Sequence, residues 1–146
     1  MNEEKIGFGL SIRLISIKKD KLLLLQRPNK RFHDSGKWEF PGGKVKKDEF
    51  FDEGLKREVF EETNLNVKIV GFYSACEDTF KSCKNHQNIK SINLAMYGIL
   101  DEGEIQLSNE HTDYSYFSKE EIKKLDAKGK LTLITSKLLK SNNFNF

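Results

Sequence analysis

The stretch of sequence that decides the fold reads WEFPGGKVKKDEFFDEGLKREVFEETNL, residues 38–65. Its first residues are predicted to be extended, because the residue before Pro41 is pushed out of helical geometry. Gly42 and Gly43 follow, and a backbone without a Cβ atom can turn tightly or approach a ligand closely. The start of this stretch therefore predicts a short strand that ends in a tight turn or a ligand-contacting loop.

The remainder of the stretch predicts a helix over residues 48–63. Asp48 is in position to cap its first turn. Apolar residues recur every four positions and form a stripe for the core, namely Phe51, Leu55 and Val59. Asn64 follows the last turn, where a residue that tolerates left-handed geometry is expected. This stretch is therefore predicted to form a loop, a helix and a second loop.

Three carboxylates of this helix, Glu58, Glu61 and Glu62, follow an i, i+3, i+4 spacing. With Glu58 at zero on a helical wheel, the other two lie near about −60° and +40°, beside the apolar stripe. Such neighbours repel by about 0.2–0.5 kcal/mol per exposed pair, so a cation between them is expected. All-oxygen ligation indicates Mg²⁺ or Mn²⁺. The helix alone favours a different interpretation, an ion-pair ladder of Glu53, Arg57 and Glu61 on a solvated face.

The spacing over the whole segment decides between these interpretations. Residues 43–65 resemble the Nudix box, which runs Gly, five residues, Glu, seven residues, Arg-Glu, aliphatic, any residue, Glu-Glu, any residue, Gly, aliphatic. The matching residues are Gly43, Glu49, Arg57, Glu58, Val59, Glu61, Glu62 and Leu65. Asn64 replaces the final Gly, and Asn also tolerates a positive φ. The match of the full pattern is far more specific than a short motif.

The flanking sequence extends this expectation to one domain over residues 1–146. Alternation and capping residues predict strands at 8–18, 22–26, 67–76, 89–100 and 114–117, helices at 118–125 and 131–139, and fraying over 141–146. Residues 8–18 and 22–26 are expected to form a hairpin. Strands with interspersed helices imply an α/β (α+β) fold with a mixed sheet between helical layers. The resemblance implies the same α/β/α sandwich, with a loop–helix–loop catalytic motif, and hydrolysis of a nucleoside diphosphate linked to another group by a divalent metal.

The resemblance also implies roles for individual residues. The metal ligands would be Glu58, Glu61 and Glu62, with the backbone of Gly43 close to the metal or phosphate. Arg57 would orient a box carboxylate, and Glu49 would be its partner or an outer-shell group beside the substrate. The general base would be either Glu58 or a carboxylate on the loop at 109–113, where Glu110 is the candidate.

Residues 38–44 resemble the MutT-like branch of the family, which converts nucleoside triphosphates to monophosphates and pyrophosphate. Arg27 falls where that branch contacts the nucleotide, and Lys44 could reach a phosphate. The positive charges of Arg27 and Lys44, together with those of Lys30 and Arg31, suit a polyanionic substrate. Residues 127–130 lack the Asn with which that branch reads a purine, so we expect little preference for oxidised guanine. ADP-ribose, other nucleotide sugars, dinucleoside polyphosphates and pterin triphosphates are the alternatives.

Composition excludes several other classes of protein. The chain has 146 residues, 37% of them hydrophobic, and a net charge of +3. These values predict a globular domain and argue against a protein that binds nucleic acid or a membrane surface, while the resemblance implies a small nucleotide-type substrate. Two cysteines and no targeting segment predict a cytoplasmic protein, which we expect to be a monomer or homodimer. A catalytically silent nucleotide-binding regulatory module is the main alternative. A zinc-stabilised domain would need Cys76, Cys83, His86 and His111.

Overall fold

The computed structural model of the chain describes residues 7–29, 34–82 and 84–146. Its strands are β1 (Gly7–Ile15), β2 (Ile17–Lys18), β3 (Lys21–Gln26), β4 (Trp38–Glu39), β5 (Gly42–Lys44), β6 (Val67–Lys81), β7 (Asn88–Leu100) and β8 (Asp113–Phe117). Its helices are α1 (Phe51–Thr63), α2 (Lys119–Ala127) and α3 (Leu133–Ser141). Within these residues, no helix has the length and apolar character needed to cross a membrane. The predicted strands and helices are therefore all present, with shifted ends.

The strands form two sheets, and the chain passes from the first sheet to the second between β1 and β2. The first sheet has the order β5-β1-β7-β6, in which β1 and β7 are parallel and the other pairs antiparallel. The second is built on β3, which pairs antiparallel with β2, β4 and β8. Lys19 and Asp20 have φ angles of 50° and 61° in the β2–β3 turn, which suits a tight hairpin. The predicted hairpin is therefore confirmed only for β2, because β1 joins the other sheet.

Helices cover both faces of the mixed sheet, which confirms the predicted α/β/α sandwich. Leu55 and Val59 of α1 pack on one face, in a core with Ile12, Leu14 and Val67. The second core joins the strands to α2 and α3. Its buried residues are Ile15, Leu22, Leu24, Phe40, Tyr73, Ala95, Ile122, Leu131, Leu138 and Leu139. The short strand β4 belongs to the second sheet and β5 to the first. The segment that precedes α1 therefore connects the two sheets.

The N-terminal end of α1 differs from the prediction, whereas its C-terminal end agrees with it. The N-cap is Phe50, whose backbone N–H donates to the Glu53 carboxylate at 3.3 Å, so the prediction of Asp48 as cap is wrong. Phe51 is 43% exposed and is not part of the core stripe. Asn64 adopts the left-handed conformation, with φ 59°, as predicted. The position of Phe51 at the first turn leaves it beyond the edge of the core.

The C-terminal segment is more ordered than its sequence predicts. Helix α3 begins two residues later than expected, because Leu131 forms an isolated parallel bridge with Trp38 of β4. After Ser141 the chain does not simply fray, since Phe144 and Phe146 pack against the second core. Burial of these two aromatic side chains stabilises a terminus whose local sequence carries no helical signal.

Candidate active site

The loop between β4 and α1 presses its backbone against the carboxylates of the helix. The N–H of Gly42 donates to Glu62 Oε1 at 2.8 Å, and Gly42 has a φ of +138° that other residues rarely adopt. A Cβ atom on Gly43 would lie 2.6–2.8 Å from the carboxyl atoms of Glu58. Gly43 is therefore needed for β5 to approach the acidic side of α1, and Gly42 is needed for the close approach of β5 to the backbone of Ile12 in β1.

Arg57 ties the acidic residues of the box together. Its Nη2 and Nε donate to the two carboxylate oxygens of Glu49 at 2.7 and 3.1 Å. Its Nη1 donates to Glu58 at 3.0 Å and to Glu61 at 3.3 Å, and Nη2 also reaches the carbonyl of Lys44 at 3.0 Å. These hydrogen bonds, with Glu49 first, raise the pKa of Arg57 and lower the pKa of Glu49 to about 2. Arg57 thus holds Glu49 ionised and orients the carboxylates of Glu58 and Glu61.

Glu62 is buried, with 1% of its surface exposed. Burial raises the pKa of its carboxyl group to about 9, and the charges of Glu39 and Glu58 act in the same direction. The hydrogen bond from Gly42 opposes that rise without overcoming it. A carboxylate at this position needs a further positive charge next to it to be ionised at neutral pH.

His111 lies between two buried carboxyl groups, in the loop that leads into β8. Its Nε2 is 2.8 Å from Glu39 Oε2, and its Nδ1 is 3.3 Å from Glu62 Oε2. The Nδ1 atom is buried and has no hydrogen-bond partner. Arg13 and Arg27 approach the other oxygen of Glu39 at 3.8 and 3.4 Å. Burial opposes ionisation of Glu39, but its hydrogen bond with His111 and the charges of the two arginines outweigh burial and lower its pKa.

These groups surround a cavity of about 650 Å³. Carboxylates and cations both line it: Glu39, Glu58, Glu62 and Glu110, and Arg13, Arg27 and Lys44. Pro28, Gly42, Gly43, Asn109 and His111 complete the lining. The carboxylates can hold a metal ion and the cations can hold phosphate oxygens, so the cavity suits a metal-bound polyphosphate.

A family model described as the NUDIX domain matches residues 8–136. The chain belongs to the Nudix family. The fold is similar to that of a MutT protein from Methanosarcina mazei Go1, with a TM-score of 0.71 and 26% identity over 96% of each chain. It is also similar to an ADP-ribose pyrophosphatase from Streptococcus suis 89-1591, with a TM-score of 0.64 over 92% of this chain and 87% of that one. Identity to the latter is 18%, so that likeness concerns the fold alone.

Two curated relatives are described as 8-oxo-dGTP diphosphatases. The protein from Buchnera aphidicola subsp. Schizaphis graminum is 37% identical over 70 residues, which are 48% of this chain and 53% of the relative. The protein from Proteus vulgaris is 36% identical over 67 residues, 46% of this chain and 57% of the relative. The chain thus spans about half the length of the curated relatives that it matches.

Nudix proteins use divalent metals, and the donors in this cavity fit such an ion. The backbone of Gly43 lies directly against the Glu58 carboxyl group, with no side chain between them. Glu62 is a buried carboxyl group that lacks a neighbouring cation able to keep it ionised. Among the described residues, one group of at least three possible ligands is compact, formed by Glu62, Glu110 and His111. Cys76 and His86 are not part of that group, and Cys83 lies outside the described residues. The zinc-stabilised alternative is therefore not supported by the described part of the chain.

The structure brings six of the predicted Nudix site residues to the cavity and leaves three, Arg57, Glu49 and Glu61, beside it. Gly43, Glu58, Glu62, Glu110, Arg27 and Lys44 line the cavity. Glu49 and Glu61 are attached to Arg57 and are not among the lining residues. The Glu61 side chain is 53% exposed. Lys30 and Arg31 lie outside the residues that the structure describes.

Arg13 and Glu39 line the Nudix cavity without a predicted role, and His111, which also lines it, was considered only as a ligand of the zinc-stabilised alternative. Each carries a weak signal in the sequence. Arg13 alternates with the buried Ile12 and Leu14, which places it on the opposite face of β1. Glu39 sits inside the motif at 38–44, and His111 follows the candidate base directly. None of these signals shows that the three side chains meet.

Proposed function

We propose that this Nudix protein hydrolyses a nucleoside triphosphate to the monophosphate and pyrophosphate with a bound Mg²⁺ or Mn²⁺ ion. The observation that carries the proposal is the cavity in which box carboxylates face Arg27 and Lys44. Its basic side chains can neutralise a polyphosphate while the carboxylates hold the metal. The similarity to 8-oxo-dGTP diphosphatases and to the MutT protein of Methanosarcina mazei supports the same activity.

The metal would be held by the carboxylates of Glu58, Glu61 and Glu62, with the backbone of Gly43 next to it. When bound, such an ion offsets charge on the phosphates and lowers the pKa of the attacking water. Glu62 is anchored for this role by the Gly42 N–H, which leaves its second oxygen facing the cavity loop. Glu61 can reach an ion only by giving up part of its contact with Arg57.

The side chains of the protein would orient the substrate and take up a proton. Arg27 and Lys44 bind phosphate oxygens, while Arg57 keeps the Glu58 carboxylate directed at the backbone of β5. Glu58 or Glu110 accepts a proton from water as the oxygen bonds to phosphorus. The bond between phosphorus and the bridging oxygen breaks, and pyrophosphate leaves with the electron pair.

A substrate panel tests the proposed activity. The common nucleoside triphosphates, 8-oxo-dGTP and ADP-ribose are compared at one Mg²⁺ concentration, with pyrophosphate, orthophosphate and sugar phosphate resolved. We expect pyrophosphate from a triphosphate, with little preference for the oxidised guanine. A tenfold lead of ADP-ribose in kcat/KM, about 1.4 kcal/mol, would favour the nucleotide-sugar alternative. Nucleotide binding without turnover of any substrate would favour the silent regulatory module.

The two candidate bases are separated by matched variants. Glu58→Gln and Glu110→Gln are compared with Glu102→Gln, which changes an exposed carboxylate outside the cavity. Loss of the base lowers kcat at saturating Mg²⁺ and removes the acidic limb of its pH profile, and saturation is needed because Glu58 is also a proposed metal ligand. If both variants keep the acidic limb, neither carboxylate is the base.

A pair of lysine variants tests the phosphate contact. Lys44→Ala removes a cation that lines the cavity, whereas Lys47→Ala removes an exposed lysine three residues away. We expect KM to rise several-fold in the first variant and to stay within about twofold in the second. Equal effects would show that only the overall positive charge matters. Cytoplasmic location and a monomeric or homodimeric state belong to the same proposal.

A further inference from the structure

We propose that Glu62, Glu110 and His111 form a mixed nitrogen–oxygen metal site that takes a first-row transition-metal dication in preference to Mg²⁺. The inference rests on the proposed function, because Glu62 belongs to both ligand sets. It goes further by adding an imidazole ligand from outside the box. It also assigns Glu110 to the metal, which leaves Glu58 as the general base.

The first argument is the convergence of three donors. One ligand atom from each of Glu62, Glu110 and His111 lies within 4.8 Å of the other two. The His111 side chain is 3% exposed, and its Nδ1 is buried without a hydrogen-bond partner. Buried polar atoms in proteins are nearly always paired, so an unpaired ring nitrogen 3.3 Å from the Glu62 carboxyl group indicates a missing ligand.

The second argument is the tautomer of the imidazole ring. A hydrogen bond from His111 Nε2 to the Glu39 carboxylate at 2.8 Å places the ring proton on Nε2. Arg13 and Arg27 hold that carboxylate in place and negative. The lone pair of Nδ1 is then directed at Glu62. Metal-binding histidines generally donate their other N–H to a carboxylate in this way, which fixes the ring orientation and makes the ligand more basic.

The third argument concerns metal preference. Mg²⁺ favours oxygen ligands and retains several waters, whereas imidazole suits the transition-metal ions. A site with one imidazole and two carboxylates should therefore discriminate in favour of ions such as Mn²⁺ or Co²⁺. Glu110 is exposed on its loop while the other two residues are buried, so an ion can enter from the solvent side of the cavity.

Titration with Co²⁺ tests this inference, because its visible absorption reports on nitrogen ligation. The metal-free full-length protein is titrated with CoCl₂ and, separately, with MgCl₂ by calorimetry. His111→Gln is compared with His86→Asn, which removes an exposed histidine outside the group. We expect His111→Gln to weaken Co²⁺ binding at least tenfold and to change its spectrum. Mg²⁺ affinity should change less than twofold, and His86→Asn should match the unmodified protein.

Because His111 is buried, a second variant guards against loss of the fold. Glu110→Gln alters an exposed side chain and should also weaken Co²⁺ binding several-fold, with an unchanged circular dichroism spectrum. Equal Co²⁺ affinity and spectra in the unmodified protein and both site variants would overturn the mixed site. Co²⁺ binding that depends on Glu110 and His111 supports it.

Hydrolysis of nucleoside triphosphates with Mg²⁺ alone is measured in parallel. Turnover together with Co²⁺ binding that does not depend on His111 would support the proposed function and overturn only the mixed site. Co²⁺ binding that depends on His111 in a protein without turnover would support the site and remove the proposed function. The two failures are therefore distinguishable.

Discussion

Replacing Glu62 by Gln should change stability and turnover in opposite directions. The Glu62 carboxyl group is almost fully buried and accepts a hydrogen bond from the Gly42 N–H at 2.8 Å. The Gln side chain has nearly the same shape, and its oxygen can accept that hydrogen bond. Its amide nitrogen can donate to the unpaired Nδ1 of His111. The variant therefore removes only the ability of this side chain to carry a negative charge.

The magnitude follows from the difference in pKa between the unfolded and folded states. The pKa of Glu62 rises from 4.5 to about 9 on folding. An acid whose pKa is raised in this way stabilises the fold fully below 4.5, and that contribution is lost as pH rises towards 9. The loss is about 1.4 kcal/mol per pH unit, or about 3 kcal/mol at pH 7. Without metal, the Gln variant should be more stable by an amount of this order, and its melting temperature higher by about 10 °C.

Urea unfolding in EDTA at pH 5.5, 7 and 8 measures this difference. We expect the unmodified protein to lose stability relative to Glu62→Gln as pH rises. Glu49 does not affect this comparison. Its pKa is lowered to about 2 in the folded state, so its effect on the pH dependence of stability falls in more acidic solution. Added Mg²⁺ should narrow the gap, since binding to the native state stabilises the unmodified protein by mass action.

In the same preparations, the turnover of Glu62→Gln with Mg²⁺ should fall at least about 10²-fold, because one ligand charge is lost. A variant that is less stable than the unmodified protein at pH 8 in EDTA would refute the burial argument. Near-normal turnover with Mg²⁺ would refute the metal-ligand assignment. These two outcomes are independent, so either half of the reasoning can fail alone.

Substitutions at three further positions test the parts of the site around the box. Arg57→Ala and Arg57→Lys should both lower the melting temperature and reduce kcat/KM at least about tenfold, because lysine cannot form the two-pronged contact with Glu49. Unchanged melting and kinetics would make Arg57 a surface residue. Arg27→Ala should lower kcat/KM by a larger factor than Mg²⁺ affinity measured by calorimetry, and the reverse order would place Arg27 at the metal. Gly43→Ala should reduce kcat by about 10²-fold while the protein stays folded, because the added methyl group displaces the Glu58 carboxylate. Full activity of that variant would show that the close approach of β5 is not needed.

Local sequence determined the helix of the box and the character of its ends. The i, i+3, i+4 spacing depends only on the helical repeat, so Glu58 and Glu62 had to lie near the apolar stripe. Asn64 in its left-handed conformation and the capping box of Ser118 with Glu121 likewise depend on a few neighbouring residues. These interactions connect residues close in sequence, and their geometry does not require knowledge of the remaining chain.

The helical repeat itself indicates which of the box carboxylates Glu61 and Glu62 is buried. On the helical wheel Glu62, at about +40°, lies within the apolar stripe and about 20° from Leu55, whereas Glu61 lies about 120° from Leu55. The structure buries Glu62 to 1% exposure and leaves the Glu61 side chain 53% exposed. The tertiary structure adds the partner of the buried carboxyl group, because the Gly42 N–H comes from β5 to donate to Glu62.

Only the tertiary structure could unite Glu39, His111 and Arg13. Glu39 and His111 are 72 positions apart and belong to different elements that meet through the second sheet. Their contact depends on β3 pairing with β4 on one edge and with β8 on the other, and a shift of one residue in either register would turn the side chains away. Strand register is set by the burial of whole faces, which no local pattern encodes. The composition of the cavity beyond the box was therefore decided by the fold.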